Sequence, residues 1–302
     1  MQQSRMKVIC VVVTFNRKIL LENCLNYLVN QSFEIDDILI VDNASSDGTT
    51  EYIKEKFNNI KFLKLNENIG GAGGFYEGMK YASSLGYDWI WLMDDDGYPE
   101  KECLVKLLKY SSLNELDAIS PVQINIDNHE ELAFPVTYRN RKITGEYSQI
   151  SSVEYIDREA NLFNGLLIKS SKLQEIGLPR AKLFIRGDEV EYTKRMKKLN
   201  IKFGTLVNAK FFHPSDKSER VSVLFGMWTI RDAHSNFKNY YMFRNRAIAF
   251  IEDGNSWLLP LDFIRYSYYY LLVKKLDFKG LIFWCGATLD GIKGKFGRHP
   301  KY

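Results

Sequence analysis

The chain has few cysteines, and none of them form a close pair. Its four cysteines, Cys10, Cys24, Cys103 and Cys285, are scattered along 302 residues without a CxxC spacing. Zinc modules need closely spaced cysteines, and disulfide-stapled scaffolds are short chains dense in cysteine. Neither class is therefore expected, and the cysteine usage suits a reducing cytosol.

Long apolar runs and a large excess of one charge sign are also missing. The longest charge-free apolar runs, 221–230 and 280–289, reach only about half of the roughly 20 residues that a membrane-spanning helix needs. The net charge of +4 is too small to indicate that the protein binds nucleic acid. The short polar N-terminus has no signal-peptide pattern. We therefore expect a cytosolic protein that neither spans a membrane nor binds nucleic acid.

Apolar runs alternate with segments of helical spacing along much of the chain. Strands are predicted at 8–14, 38–41, 60–65, 88–93, 117–123 and 161–169, and helices at 18–29, 47–57, 73–85, 100–110 and 189–199. Residues 124–156 are irregular and polar, which predicts hairpins or loops. The alternation predicts an α/β fold in which helices flank a mostly parallel sheet.

Polar residues follow several of these strands at the point where each one ends. They lie at 14–17, 42–46, 66–74 and 94–96. Ligands of open α/β sheets bind beyond the carboxyl ends of the strands. The coincidence predicts an active site at this edge of the sheet.

Three adjacent carboxylates, Asp94, Asp95 and Asp96, come directly after the apolar run 89–93. Adjacent acids repel one another, and a cation between them removes that repulsion. Alternate residues of an extended segment face the same way, so Asp94 and Asp96 can hold one ion. Oxygen ligands suit Mg²⁺ or Mn²⁺. Taken alone, the triplet is equally compatible with a solvated acidic turn.

Two further segments carry groups that suit catalysis. Asp188 and Glu189 lie at a loop-to-helix corner, where a carboxylate can act as a general base, although the helix dipole alone favours acids there. His213 follows a short strand and would complete an oxygen, oxygen, nitrogen ligand set with Asp94 and Asp96. A lone histidine is more often structural.

Small polar and glycine residues form two other stretches at strand ends. Asp42 could accept a hydrogen bond from a base or a ribose, or could belong to a plain strand–turn–helix. Residues 68–78 are rich in glycine, which allows close approach of the backbone to a ligand. They lack the spacing of a dinucleotide fold or a P-loop, and a loop without a ligand is the alternative.

Six pieces of the chain, taken in order, resemble an inverting nucleotide-sugar glycosyltransferase of family 2 with a GT-A, Rossmann-like fold. The pieces are 12–17 (Val-Val-Thr-Phe-Asn-Arg), 41–49, 68–75 (Asn-Ile-Gly-Gly-Ala-Gly-Gly-Phe), 94–96, 187–191 (Gly-Asp-Glu-Val-Glu) and His213. The glycine-rich form and the triple aspartate resemble bacterial galactofuranosyltransferases in particular. Rhamnosyltransferases of surface-polysaccharide pathways are also similar.

The resemblance implies a role for each matching residue. It implies nucleotide-sugar binding by Thr14, Arg17, Asp42, Asn68, Gly73, Gly74 and Asp95, with Asp95 near the ribose. It implies that Asp94, Asp96 and His213 hold Mn²⁺ or Mg²⁺. The second acid of the pair matches the base of the family, and it is Glu189 here, where relatives often carry aspartate. Because glutamate reaches one methylene further, the choice between Asp188 and Glu189 stays open.

The reaction implied is a direct displacement with inversion at the anomeric carbon. The first-choice donor is UDP-galactofuranose, and the acceptor is a hydroxyl of a growing, lipid-linked bacterial surface polysaccharide such as O-antigen or capsule. A rhamnosyltransferase using dTDP-rhamnose is the second enzyme hypothesis. A catalytically inactive glycan-binding or scaffold protein on the same fold is the alternative of another class.

The sequence changes character after about residue 215. Residues 1–215 are predicted to form the catalytic domain, and 216–302 an aromatic, basic, helical region. Residues 240–246 resemble a Tyr-Tyr…Arg-Asn element of polysaccharide enzymes, for which we expect helix packing. Aromatic residues interleaved with Lys274, Lys275 and Lys279 suit a helix lying on the inner face of the cell membrane. A dimer face, and hence a homo-oligomer, or an ordinary core helix pair is left open.

Overall fold

A mixed β-sheet organises the N-terminal part of the protein, up to His213. The computed structural model describes residues 5–139 and 142–302. The strands of the sheet are β1 (Val8–Thr14), β2 (Asp37–Asp42), β3 (Ile60–Lys64), β4 (Trp89–Asp94), β5 (Tyr98–Pro99), β6 (Ala118–Asn125), β7 (Glu131–Tyr138), β8 (Lys142–Glu146), β9 (Tyr155–Asp157), β10 (Asn164–Lys169) and β11 (Phe203–His213). The main path runs β3-β2-β1-β4-β10-β6-β11-β5.

Helices cover both faces of this sheet. They are α1 (Lys18–Val29), α2 (Thr49–Lys56), α3 (Gly70–Ser83), α4 (Cys103–Leu113), the single turn α5 (Leu173–Ile176) and α6 (Asp188–Lys198). Alternate side chains of β1 face opposite ways. Cys10 and Val12 pack with α1 and α4, whereas Val11 and Val13 pack with Phe75 of α3. This architecture confirms the predicted α/β fold.

The sheet is less parallel than its strand–helix alternation indicated. Strands β3, β2, β1 and β4 are parallel, but β10 runs antiparallel between β4 and β6. The polar stretch 124–156 contributes the antiparallel strands β7, β8 and β9 at the margin. Apolar alternation does not encode strand direction, because a buried strand is apolar whichever way it runs.

The region after residue 215 begins with a hairpin rather than a helix. Strands β12 (Arg220–Val223) and β13 (Trp228–Arg231) pair antiparallel, and the turn between them has positive φ at Leu224, Phe225 and Gly226. The helices α7 (Asn236–Glu252), α8 (Leu258–Tyr268) and α9 (Phe278–Ile292) follow, with a π-helical turn at Tyr269–Val273. Within the described residues, no helix is both long and apolar enough to cross a bilayer.

An aromatic cluster joins this C-terminal region to the part of the protein that contains the large sheet. Phe184, in the loop before α6, packs in the same cluster as Tyr241, Tyr266 and Trp284. The C-terminal helices therefore touch the segment that leads into the acidic pair Asp188–Glu189.

Candidate active site

A cavity of about 640 Å³ opens at the carboxyl ends of β1 and β4. It lies where ligands bind in open α/β sheets. Its wall includes nine of the residues singled out from the sequence: Thr14, Arg17, Asn68, Asp94, Asp95, Asp96, Asp188, Glu189 and His213. The fold thus brings together groups that lie as far apart in sequence as residues 14 and 213.

Asp95 ties the ends of β1 and β4 together on one side of the cavity. The Thr14 hydroxyl donates to Asp95 Oδ2 at 2.6 Å, and Arg17 Nη1 donates to Asp95 Oδ1 at 3.1 Å. The side chain is only 3% exposed. Burial raises the pKa of Asp95 to about 6, against the opposing effects of Arg17 and Thr14. Both carboxylate oxygens are therefore engaged in fixed contacts.

Asp96 lies between Arg17 and His213. Arg17 Nη1 donates to Asp96 Oδ2 at 2.9 Å, and His213 Nε2 lies 3.0 Å from Asp96 Oδ1. Although burial opposes ionisation, His213 in its protonated form and Arg17 outweigh it and hold the pKa of Asp96 at about 2. Asp96 is therefore an ionised carboxylate.

The contact between His213 and Asp96 has an unusual proton arrangement. His213 Nδ1 lies 2.7 Å from the Pro214 carbonyl oxygen, which only accepts, so the neutral ring carries its proton on Nδ1. Nε2 then presents a lone pair to Asp96 Oδ1, a buried oxygen with no hydrogen-bond donor among the described residues. Two lone pairs this close repel each other unless a cation or an extra proton lies between them. The pair therefore fits a divalent metal ion.

Asp94 ends β4 beside these groups. Burial and then the charges of Asp96 and Asp95 raise its pKa well above the usual range. In residues 5–139 and 142–302 no three acidic, histidine or cysteine side chains converge as a metal-ligand set. Asp94 as a third ligand stays a prediction.

The glycine-rich loop forms a further part of the cavity wall through its backbone. Asn68 Oδ1 accepts from Gly70 N at 2.8 Å, and the Asn43 amide bonds both Gly70 O and Ile69 N at 2.9 Å. Gly70 has φ +78°, and an added Cβ would lie 2.1 Å from the Phe184 carbonyl oxygen. Around Gly71 nothing lies within 4 Å of an added Cβ. Gly70 is therefore required by the fold, whereas Gly71 faces open space in the cavity.

Three residues expected in the nucleotide-sugar site lie outside the cavity wall. Asp42 is fully buried, and its oxygens accept from the Thr50 hydroxyl and from Ser45 N. Asn43 lines the cavity in its place. Gly73 and Gly74 allow tight packing, because an added Cβ would lie 2.6 Å from Ile69 and 2.5 Å from Val13 respectively. Their contacts are those of structural residues, and direct contact of these three residues with a ligand stays a prediction.

The acidic pair begins α6, and its two members have different surroundings. Asp188 is 4% exposed, and burial followed by the charge of Glu189 raises its pKa to about 8. Burial also raises the pKa of Glu189, but the positive charges of Arg186, of His213 when it is protonated, and of Arg231 act against it. Glu189 therefore faces the cationic side of the cavity, whereas the strongest charged neighbour of Asp188 is Glu189 itself.

An ion-pair network on the cavity rim was missed by sequence reasoning. Arg186 forms two hydrogen bonds to Glu219 at 2.7 and 2.8 Å. Arg231 bonds Asp216 at 2.9 Å and Glu219 at 3.3 Å, and Arg220 bonds Asp216 at 2.8 Å. The acidic and basic residues at 216–220 indicate that ion pairs form in this segment. The sequence nearby does not indicate that Arg186 and Arg231 are among the partners. The network connects the loop before α6 to the β12–β13 hairpin.

Comparison with known proteins gives a consistent result. Residues 9–168 match the model of Glycosyl transferase family 2. The chain is 34% identical over 299 residues to galactofuranosyltransferase GlfT1 of Mycolicibacterium smegmatis, and the match covers 97% of this chain and 99% of that protein.

Solved structures share the fold at much lower identity. S. aureus TarS in complex with UDP-GlcNAc has a TM-score of 0.59 at 17% identity, covering 96% of this chain and 82% of that one. GalNAc-T7 with UDP, GalNAc and Mn²⁺ has a TM-score of 0.59 at 12% identity, covering 82% of this chain and 48% of that one. These likenesses concern the fold alone.

Proposed function

Because the chain belongs to glycosyl transferase family 2 and is a glycosyltransferase, we propose that it transfers galactofuranose from UDP-galactofuranose to a glycan hydroxyl. The observation that carries this proposal is the 34% identity to a galactofuranosyltransferase across nearly the whole of both chains. The acceptor in this proposal is a growing, lipid-linked polysaccharide of the bacterial surface.

Glu189 is the general base of the proposed reaction. Its carboxylate takes the proton of the acceptor hydroxyl, whose oxygen bonds to the anomeric carbon as the bond from that carbon to the diphosphate oxygen breaks. UDP leaves, and the anomeric configuration inverts. Burial raises the pKa of Glu189, while the charges of Arg186 and Arg231 favour the ionised form that a base requires. A base of this kind contributes about 10²- to 10⁴-fold in rate.

The opposite side of the cavity holds the nucleotide in this proposal. Thr14, Arg17 and Asn68 line the wall there, and Asp95 is held rigid by Thr14 and Arg17. A side chain fixed in this way is suited to orienting a ribose hydroxyl. Asn43 takes the position first expected for Asp42.

Asp96 and His213, with Asp94 beside them, would hold Mn²⁺ or Mg²⁺. Support comes from the lone pairs of His213 Nε2 and Asp96 Oδ1, which face each other at 3.0 Å. When bound, the ion supplies positive charge that neutralises the departing diphosphate. The protein contributes an ionised Asp96 and a histidine whose tautomer is fixed by Pro214.

The C-terminal region carries the proposed contact with the inner face of the cell membrane. Trp257, Leu272 and Ile282 are 64%, 65% and 71% exposed, and Lys274 and Lys275 lie among them in sequence. Exposed apolar side chains with adjacent cations suit an anionic lipid interface. The peripheral location proposed for the protein depends on this contact.

Co-sedimentation with anionic vesicles at low salt tests the membrane contact. The variant Leu272→Ser/Ile282→Ser is expected to bind less than wild type, because it removes apolar area. Leu113→Ser is the matched control, since Leu113 is 73% exposed on α4 of the catalytic half. Wild type that stays in the supernatant, or equal losses in both variants, would rule out this surface.

A thermal-shift titration with UDP, dTDP and GDP, each with and without Mn²⁺, tests the donor class. A ligand that prefers the native state raises the melting temperature by mass action. We expect the largest shift with UDP and a further rise with Mn²⁺. A larger shift with dTDP would favour a rhamnosyltransferase instead.

A further inference from the structure

Two polar side chains of α7, Arg244 and Asn245, are buried against the loop that leads into α6. Arg244 is 1% exposed and Asn245 is 4% exposed. They belong to the Tyr-Tyr…Arg-Asn element at 240–246, for which simple helix packing was expected. Apolar side chains suffice for packing, whereas burying a guanidinium and an amide is unfavourable unless their hydrogen bonds are satisfied.

Both side chains bond to backbone carbonyl groups of that loop. Asn245 Nδ2 lies 2.9 Å from Leu183 O, 2.9 Å from Ile185 O and 2.6 Å from Arg186 O. Arg244 donates to Leu183 O at 2.8 Å and to Asn245 Oδ1 at 2.9 Å. Because Arg244 holds the amide oxygen, the amide nitrogen of Asn245 must face the three carbonyl groups.

The loop has a backbone shape that local preference does not favour. Phe184 and Arg186 have φ of +70° and +61°, and Gly187 has φ of +100°. The left-handed region is unfavourable for residues with a side chain, so surrounding contacts must maintain it. The Phe184 carbonyl accepts from Ala72 N of α3 at 3.0 Å. The loop is thus held between α3 and α7.

The residue directly before the acidic pair also contacts α7. A Cβ added to Gly187 would lie 3.2 Å from the Cβ of Asn245. Helix α6 begins at the next residue, so its first turn is placed by this close approach. Glu189 is in that first turn and lies at the cavity wall.

We propose that Arg244 and Asn245 are positioning residues, which hold the carbonyl groups of 183–186 and thereby aim Glu189 at the acceptor hydroxyl. This inference rests on the proposed function of Glu189 as the base. It gives the C-terminal region a part in catalysis that is separate from membrane contact. It also explains why polar groups occupy a buried position in the helix.

Asn239 provides a matched control on the same helix. It is 5% exposed, its amide donates to Asp232 Oδ1 at 2.9 Å, and its oxygen accepts from Ala233 N at 2.8 Å. These bonds hold the turn before α7 and do not involve the loop before α6. Asn239→Ala therefore removes a comparable buried network without touching the proposed positioning contacts.

Steady-state kinetics of Asn245→Ala and Asn239→Ala separate positioning from stability. We expect similar losses of melting temperature in both. We expect kcat to fall by about 100-fold in Asn245→Ala, since a displacement of about 1 Å in a reacting group has this effect, and by no more than about threefold in Asn239→Ala. KM for the donor should change less than kcat, because Asn245 itself bonds no residue of the proposed nucleotide wall. Equal losses of kcat in the two variants would overturn the proposal.

A double mutant tests whether Asn245 acts through Glu189. Residues that work as a unit give non-additive kinetic losses. Asn245→Ala should therefore reduce kcat little further in a Glu189→Gln background. An undiminished loss in that background contradicts the proposal. Full activity of Glu189→Gln alone would instead refute the assignment of the base, which belongs to the proposed function.

Amide hydrogen exchange gives a readout that needs no substrate. Asn245→Ala should increase exchange in peptides covering 183–191, and Asn239→Ala in peptides covering 232–236. Unchanged exchange at 183–191 would overturn the proposal even if no donor were known. If Asn245→Ala does not fold, Asn245→Asp replaces it, because it keeps the size and the Arg244 contact but sets a carboxylate oxygen against three carbonyl groups.

Discussion

Replacing Asp188 with asparagine should stabilise the protein, and the gain should grow with pH. Asp188 is 4% exposed and adjoins Glu189, and burial and that neighbouring charge raise its pKa to about 8. In the unfolded chain an aspartate has a pKa of about 4. The folded protein therefore binds the proton more tightly than the unfolded chain does.

The direction of the pH effect follows from that difference. The stability contributed by the protonated carboxyl is fully present below about pH 4 and is lost as pH rises towards about 8, where the folded carboxyl ionises. Within this window the loss is about 1.4 kcal/mol per pH unit. For a protein of this size that corresponds to roughly 2–4 °C in melting temperature per pH unit. Asparagine does not ionise, so the variant lacks this loss.

Thermal denaturation of wild type and Asp188→Asn across about pH 5 to 8 measures the effect. Glu130→Gln is the control for the loss of one negative charge, because Glu130 is exposed and its side chain makes no ion pair among the described residues. The difference between wild type and Asp188→Asn should widen as pH rises, while Glu130→Gln follows wild type. Parallel curves for all three proteins would refute the reasoning. Asp188→Asn should also keep most of its turnover, because Glu189 is the proposed base.

Other substitutions probe the remaining parts of the site. Glu189→Gln should leave the UDP-induced thermal shift nearly unchanged and lower kcat by about 100-fold or more, and unaltered kcat would move the base elsewhere. Asp96→Ala should remove the Mn²⁺-dependent part of the UDP shift while circular dichroism shows an intact fold, whereas a retained Mn²⁺ effect would exclude Asp96 as a ligand. Gly70→Ala should destabilise the protein by more than about 2 kcal/mol in chemical denaturation, since φ of +78° and the Phe184 carbonyl at 2.1 Å both oppose a Cβ. Gly71→Ala should be near neutral, and equal effects of the two glycine changes would contradict the proposed geometry.

Local patterns predicted the elements of the catalytic half well. The β-branched run at Val8–Thr14 and the helical spacing at Lys18–Val29 match β1 and α1 at both ends. Helix α3 begins at Gly70 rather than at the predicted residue 73, because the contacts of Asn68 and of the Phe184 carbonyl define its first turn. Glycines have no side chains that would signal such a start.

The sequence predicted those site residues that follow the ends of strands or belong to family motifs, and it did not predict the others. Asp42 and Asn43 illustrate the limit: successive residues at a strand end face opposite ways, and the acid of this pair faces inward. The contacts of Arg186 with Glu219, and of Asn245 with the loop 183–186, join segments separated by 33 and by about 60 residues. No local pattern encodes such pairings, since each depends on how the C-terminal region packs.

The most direct test of the account is a transfer assay with lipid-linked glycans extracted from the source organism. Purified protein would be incubated with these acceptors, Mn²⁺ and either UDP-galactofuranose or dTDP-rhamnose, and the products identified by mass spectrometry and by the anomeric configuration of the new linkage. The account predicts transfer of galactofuranose with an anomeric configuration opposite to that of the donor. Transfer from dTDP-rhamnose alone, or retention of the donor configuration, would contradict it.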